Sequence, residues 1–447
     1  MSQHPAYRTP FVLGVPIKDP GDFYGRQEIL RACFQAAVDG QNVAVVGEHR
    51  CGNTSVLYQL LHEDQRAKYL SVEDNARLVF VFVSSQLGNE DPAAFLRRLA
   101  RGIRRAEPDA SLATDGDAGQ LWLEDSLEHL ADRGQRLVLL LDEFEVLSHF
   151  DPSFWEWFQV LTTEYDVAMI ASTRSDLGEF RAERGGPPLY NMFSSIYIGS
   201  LRQDTVDEFL REKSELTEFD FGSVRAELDE LAGRFPFYLQ SAAALFYVQA
   251  AGESHISPEQ VAEVRREFAL RTRALFDDAW GKLPWAERDA LTWQVLDTVP
   301  AGGDEAQLTH ARRSLERRGY LVDGRIFSIA LADFVRLHLR PIGSSATPGS
   351  ARVGRVLVPL SAKEPALLEY LLDHQDRVVT EHELAHGVWT ELSEALSSAG
   401  VEAIRHTVES LKDKLDAAGD GFETLEILPD EGYRLRNPTH EQRPWLD

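Results

Sequence analysis

Residues 42–57, NVAVVGEHRCGNTSVL, run from four apolar residues into a loop bounded by two glycines. Val43, Ala44, Val45 and Val46 are small or β-branched, the composition of a strand buried on both faces of a parallel sheet. The spacing predicts a helix from near Thr54. Strand, glycine loop and helix in that order turn backbone N–H groups inward around an anion and aim the positive end of the helix at it. Gly47 and Gly52 fit the phosphate-cradling pattern G-x-x-x-x-G-K-[ST], and Thr54, with Ser55 beside it, stands where a hydroxyl meets Mg²⁺. One position departs from that pattern. Asn53 stands where it carries lysine.

A single degenerate loop of this kind specifies little, so the rest of the chain has to supply the other parts. With 447 residues there is room for about three domains, each with its own core. Two cysteines, Cys33 and Cys51, cannot build a disulfide framework, which points to a reducing cytoplasm. The opening MSQHPAYRTP has no apolar signal core. Residues 235–251 form the longest low-charge stretch, but it is short for a bilayer and carries Gln240 and Gln249, so a buried helix is expected and no membrane partner. The net charge of −26 repels nucleic acid and anionic membranes, and any DNA contact would need a local basic patch.

Residues 11–30, FVLGVPIKDPGDFYGRQEIL, read as an irregular lead into a helix beginning near Arg26. It is either a surface arm or a segment that packs its apolar residues beside a bound base, with Tyr24, Gly25 and Arg26 as the pivot. Further strands are expected at 78–83, within 137–145 (ending in Asp142-Glu143), at 167–171 and at 196–198, with helices at 95–105 and 121–132. The second of these strands, LVLLLDEFE, delivers Asp142 and Glu143 about 90 residues after the glycine loop. At the carboxyl end of a strand, one carboxylate of such a pair helps hold Mg²⁺ and the next polarises the attacking water. The strand at 167–171 brings Ser172, Thr173 and Arg174 to the same edge. Strands alternating with helices predict a parallel sheet with its ligands at the carboxyl ends.

Taken together, these segments resemble the STAND class of P-loop ATPases, relatives of the AAA+ proteins that act as nucleotide switches. VLGVPIKDPGDFYGRQEIL resembles the glycine-arginine entry box of that class, GEHRCGNTSVL its P-loop and LLLDEFEVL its Walker B strand. IASTRSDL resembles its sensor strand, and LRQDTVDEFL with LAGRFPFYLQSAAALF its helical lid. The resemblance covers roughly residues 10–340. It implies ATP or ADP with Mg²⁺, held by Tyr24, Gly25, Arg26, Gly47, Arg50, Gly52, Asn53, Thr54 and Ser55. It further implies Thr54 and Asp142 on the metal, Glu143 as the catalytic carboxylate, Arg174 reading the γ-phosphate, and a Gly233-to-Pro236 turn lying against the base. The sensor strand is expected between the P-loop and Walker B strands.

Asn53 qualifies that picture. It offers a neutral amide where the class has a cation, and losing a charge-assisted bond costs about 1.5–3 kcal/mol of binding. Hydrolysis suffers more, because the lysine also neutralises charge that develops during transfer. Arg50 is a candidate replacement, although the class often carries an arginine in that part of the loop beside its lysine. Weak binding and slow or absent hydrolysis are the expectation.

Beyond the lid, residues 270–340 read as a winged helix: a helix, a turn at Arg318-Gly319 and a hairpin around Asp323-Gly324. Arg312, Arg313, Arg317 and Arg318 on its helix form either a solvated, salt-bridged face or a DNA contact. PIGSSATPGS, residues 341–350, is expected to be a linker. The C-terminal stretch, at about 356–435, resembles the winged-helix output domain of OmpR/PhoB-type response regulators. The apolar skeleton carries the likeness: Leu367, Leu368, Leu371, Leu372, Val378, Leu384, Trp389, Val408, Leu411, Leu415 and Tyr433. Its surface departs from that family. The recognition helix mixes Arg405, Lys412 and Lys414 with Glu402, Glu409 and Asp413, and the wing carries Asp430 and Glu431. From residue 351 onward ten Lys/Arg face nineteen Asp/Glu, a balance of −9, the wrong sign for neutralising phosphates.

The expected architecture is therefore an α/β P-loop NTPase domain with a parallel sheet (1–200), a helical lid (201–268), a winged helix (269–340), a linker (341–350), an OmpR-like winged helix (351–437) and a tail (438–447). Two functions fit it. One is a nucleotide-binding signalling switch whose last domain docks a protein partner or effector, in a signalling or defence assembly. The other is a transcription regulator whose nucleotide site gates DNA binding. The acidic last domain favours the first, its fold the second, and oligomerisation stays open.

Overall fold

The computed structural model describes residues 10–86, 91–107, 119–184, 187–296, 305–337, 342–344, 350–353, 356–361, 363–389, 398–418, 425–429 and 431–436. Two compact units emerge, one of residues 1–268 with 317–319, the other of residues 269–316 and 320–447.

The first unit is built on five parallel strands, β1 (Asn42–Val46), β2 (Leu78–Ser84), β3 (Arg136–Asp142), β4 (Ala168–Thr173) and β5 (Phe193–Tyr197), in the order β2-β3-β4-β1-β5. The expected placement of the sensor strand β4 between β1 and β3 is what the sheet has. Register pairs Val46 with Thr173 and Leu141 with Ala171, so the P-loop, the Walker B carboxylates and the sensor residues leave the sheet along one edge. The strand expected to end in Asp142-Glu143 ends at Asp142, and Glu143 takes a left-handed conformation (φ 54°) that opens a 3-10 turn over Phe144–His149. One strand differs from expectation. The last strand covers Phe193–Tyr197 rather than 196–198.

Helices cover the sheet for local reasons. Asp91 caps Pro92–Ala106 by accepting the Ala94 N–H at 2.6 Å, and proline opens its first turn. That helix buries Phe95, Leu96, Leu99 and Ile103 on one stripe and leaves its arginines outward. Phe144, Trp155, Phe158 and Tyr190 are almost wholly buried in the core against β2, β3 and β4. Removing one such ring costs about 3–5 kcal/mol. The stretch at 235–251 is the helix Pro236–Ala250, buried along most of its length. No helix among the described residues is long and apolar enough to cross a membrane.

In the second unit, helices Trp285–Leu296, Glu305–Arg318 (up to residue 316) and Ile329–Leu337 accompany a two-stranded pair, Leu321–Val322 with Arg325–Ile326. Within 341–350, read from sequence as a linker, Ile342–Ser344 and the residue at 350 belong to an antiparallel sheet completed by Ser350–Val353 and Val356–Pro359. The rest of that stretch, like the tail at 438–447 and Asp430, lies outside the described residues. Helices Glu364–Asp373, Glu381–Gly387 and Ser398–Ala418 then lead to a wing, Leu425–Leu428 paired with Gly432–Leu435. The expected skeleton forms one core with one correction, Val379 in place of Val378. Val379 exchanges both backbone hydrogen bonds with Tyr433, at 2.7 and 2.8 Å, and alternation along that bridge turns its side chain inward and that of Val378 away.

Candidate functional site

The glycine loop leaves β1 and enters the helix Asn53–Leu61. Gly47 donates its N–H to Thr173 O at 3.0 Å, and a Cβ there would lie 2.4 Å from Ile198 Cγ2 and 2.5 Å from Cys51 Sγ, so a side chain does not fit. Asn53 points back into the sheet edge. Its amide donates to Gly47 O at 2.7 Å and to Thr173 O at 3.1 Å, while its oxygen accepts from the Cys51 thiol at 3.0 Å. Burial pushes the Cys51 thiol up to about 12, which keeps that donor protonated. Both amide hydrogens of Asn53 are thus used within the protein.

Opposite the loop, the two carboxylates of Walker B have separate surroundings. Asp142 Oδ1 accepts from Thr54 Oγ1 at 2.9 Å and from Ser172 Oγ at 2.6 Å, and burial raises its carboxyl above the ordinary range. Glu143 donates its backbone N–H to Ser172 Oγ at 3.0 Å and faces Arg174, whose guanidinium lies 3.4 Å from Glu143 Oε1. Glu145 accepts the Arg174 backbone N–H at 3.1 Å, and burial raises its carboxyl to about 7. One oxygen of Glu143 and one of Glu145 are buried without a hydrogen-bond partner.

The N-terminal lead closes a third side. Val12 N–H donates to Gln240 Oε1 at 3.0 Å, Ile17 N–H to Ser55 Oγ at 3.0 Å, and Gln59 Nε2 to Ile17 O at 3.2 Å. The result is one cavity of about 910 Å³, counted out to its open mouth, walled by this lead, the glycine loop, Glu143 with Glu145, Ser172 to Arg174, and Pro236, Phe237 and Gln240. Gly47, Arg50, Gly52, Asn53, Thr54, Ser55, Glu143, Arg174 and Pro236 all line it. Asp142 meets it through Thr54.

Tyr24 and Arg26 line a smaller, mainly apolar cavity next to it, sharing Ile17, Gly52, Ser55, Pro236 and Gln240 as walls. Tyr24 packs edge-on to Phe209. Gly25 lines neither cavity; its φ of 69° and the 2.8 Å approach of Thr205 to a Cβ there make it a pivot of the backbone. Arg26 donates to Ser200 O, Gly199 O and Cys51 O, tying the loop to the end of β5. Burial lowers it to about 10, so it stays cationic at neutral pH.

These residues fit a Mg²⁺-nucleotide. Among the described residues no group of three or more His, Cys, Asp or Glu could hold a metal by itself. Mg²⁺ does not need one, since it takes one or two protein oxygens and completes its shell with phosphate and water. Thr54 Oγ1 and Asp142 Oδ1, already 2.9 Å apart, are such a pair. Reading the sequence missed Glu145, Phe237 and Gln240. Glu145 sits in the Walker B stretch, but only its bond to Arg174 marks it out.

On the C-terminal winged helix the cations are engaged at home. Arg405 pairs with Glu381, Lys412 with Asp416 and Lys414 with the buried Glu364, while Arg434 and Arg436 both pair with Glu426. Glu431 is exposed on the wing.

Comparison with known proteins identifies two families along the chain. Residues 35–278, more than half of the chain, match the family model described as novel STAND NTPase 2. Residues 354–435 match the model described as transcriptional regulatory protein, C terminal. No curated protein matches the chain in sequence. Among solved structures, a Walker-type ATPase of Pyrococcus abyssi is 15% identical with a TM-score of 0.50, over 72% of this chain and 98% of that one. The ORC2 protein of Aeropyrum pernix, in its ADPNP–ADP complexes, is 12% identical with a TM-score of 0.46, over 69% of this chain and 92% of that one. At 15% identity the likeness to the Walker-type ATPase speaks to the fold alone.

Proposed function

Because the chain belongs to the novel STAND NTPase 2 family, we propose that it is a nucleotide-binding signalling switch that takes ATP or ADP with Mg²⁺ and acts through its C-terminal winged helix on a protein partner. The observation that carries this reading is the single cavity to which the lead, glycine loop, Walker B, sensor and lid segments each contribute walls. In it the backbone N–H groups of the loop would cradle phosphate, and Thr54 and Asp142, 2.9 Å apart, would hold Mg²⁺. The metal, when bound, neutralises phosphate charge. Glu143 stands ready to polarise water and Arg174 to read the terminal phosphate. The apolar pocket around Tyr24 and Pro236 suits the base. Hydrolysis is slow, since Asn53 brings no charge and its amide is committed to Gly47 and Thr173. Two free, buried thiols suit a reducing cytoplasm.

Calorimetry of the full chain with ATP and ADP, with and without Mg²⁺, tests the reading. We expect saturable heat in the micromolar to millimolar range. No heat up to millimolar nucleotide, on folded protein, removes it.

A second reading, a nucleotide-gated transcription regulator, is favoured by the match of residues 354–435 to the C-terminal domains of transcriptional regulatory proteins. The ion pairs that occupy Arg405, Lys412, Lys414, Arg434 and Arg436 weigh against it, because each cation must leave a carboxylate before it can neutralise a phosphate.

A further inference from the structure

A P-loop that has lost its lysine still has to meet the charge of a diphosphate or triphosphate. Asn53 is not the residue that does so. Its two amide hydrogens lie on Gly47 O and Thr173 O, and its oxygen accepts the Cys51 thiol. Arg174 is drawn to Glu143, at 3.4 Å. Among the described residues, the lysines and arginines lining the cavity reduce to Arg50 and Arg174.

Arg50 has what the role requires. It sits in the loop in a left-handed conformation, φ 68°, between Gly47 and Gly52. Its guanidinium lies 4.4 Å from the centre of the Phe237 ring, a residue of the lid helix Pro236–Ala250 that lines the same cavity. Its Nε is buried and has no hydrogen-bond partner. A guanidinium stacked on a ring keeps its in-plane N–H donors free for a phosphate edge, and its planar fork matches that edge better than an ammonium does. An unsatisfied buried donor costs free energy until an acceptor arrives. The lid also gains a reason to respond to the ligand, because Phe237 touches the very group that the phosphates would pull on.

We propose that Arg50, held on Phe237, supplies the cationic charge that this loop offers to the β- and γ-phosphates, taking over the role vacated at Asn53. The assignment rests on the nucleotide-binding reading of this cavity and goes beyond it by naming what discriminates phosphorylated from unphosphorylated nucleoside. It predicts that polyphosphate affinity follows the charge at residue 50, while affinity for the nucleoside does not.

The test is calorimetry on the full chain with Mg²⁺ and, separately, ATP, ADP and adenosine, for the wild type, Arg50→Gln and Arg50→Lys. We expect Arg50→Gln to weaken ATP and ADP roughly 10- to 150-fold, the range for one charge-assisted hydrogen bond, and to change adenosine less than about threefold. Arg50→Lys should retain most of the ATP affinity, and the double variant Arg50→Gln/Asn53→Lys should recover it. ATP affinity within threefold of wild type in Arg50→Gln overturns the assignment. So does an equal loss for ATP and adenosine, which marks a structural role, or a failure of both Arg50→Lys and the double variant to restore binding. A wild type that binds none of the three sinks the reading of the site itself, an outcome distinct from any change at residue 50.

Discussion

Thr54 donates its hydroxyl to Asp142 Oδ1 across 2.9 Å, joining residues 88 positions apart in the chain. The first residue of the helix after the P-loop glycine is Asn53, and the last of β3 is Asp142, so this bond spans the two elements that a Mg²⁺ ion would bridge. Thr54→Ala removes one of the two proposed metal ligands and leaves Asp142 with its bond from Ser172. We expect the gain in ATP affinity on adding Mg²⁺ to shrink about tenfold. Stability without nucleotide should change by no more than about 1.5 kcal/mol, the net worth of an ordinary hydrogen bond. Paired titrations with and without Mg²⁺ decide it, and an unchanged Mg²⁺ dependence refutes the ligand assignment.

Asn53→Lys puts a point charge on the loop of the cavity that Glu143 also lines. Turnover should rise at least about tenfold over wild type, in line with the loss seen when a transition-state charge partner is removed. Adding Glu143→Gln should then abolish it. Phosphate release under saturating ATP is the measurement. Brisk hydrolysis by the wild type would mean that Asn53 is no handicap.

Glu145 makes folding depend on pH. Burial raises its carboxyl from 4.5 to about 7, so between those values the native state holds a proton that the unfolded chain has already lost. Stability from this group is full below about 4.5, declines as pH rises to about 7 and is level above it. Asp142, also raised by burial, pulls in the same direction. Glu145→Gln keeps an acceptor for the Arg174 N–H and removes the titration. The variant should therefore gain on wild type as pH rises, by up to about 3 kcal/mol at pH 8. Denaturant melts at pH 4.5, 6 and 8 test this; parallel curves for the two proteins would count against it.

The C-terminal winged helix should bind mixed-sequence duplex DNA no more tightly than about 10 µM at physiological salt, within the range of weak non-specific contact. Glu381→Gln with Glu426→Gln frees Arg405, Arg434 and Arg436 from their carboxylates. Affinity should then rise about tenfold or more and acquire a steeper salt dependence. Fluorescence anisotropy of the full chain at two salt concentrations reads both. Tight, salt-sensitive binding by the wild type would favour the transcription-regulator reading over protein docking.

How much of this was written in the chain depends on the range of each interaction. The buried strand at Val43 to Val46, the Walker B run into Asp142 and Glu143, the helix expected at 95–105 and the apolar skeleton of the last domain are local patterns. Periodicity and spacing are legible there, because a strand or helix buries its face according to its own residues. Even so, locality failed at Val378, where alternation set by pairing with Tyr433 buries Val379 instead. The fate of Asn53 lay further out of reach. From sequence it was a weak ligand for phosphate; in the fold its amide serves Thr173, 120 positions away, because β4 lies between β1 and β3. Arg50 read from the sequence as a candidate replacement for the lysine, with an arginine beside the lysine as the other account, and the lid helix, bringing Phe237 to its guanidinium, is what favours the first. A motif names the residue types that reach an edge of the sheet. Which of them keep donors free for a ligand is decided by partners far along the chain, and those are brought together by strand order and packing alone.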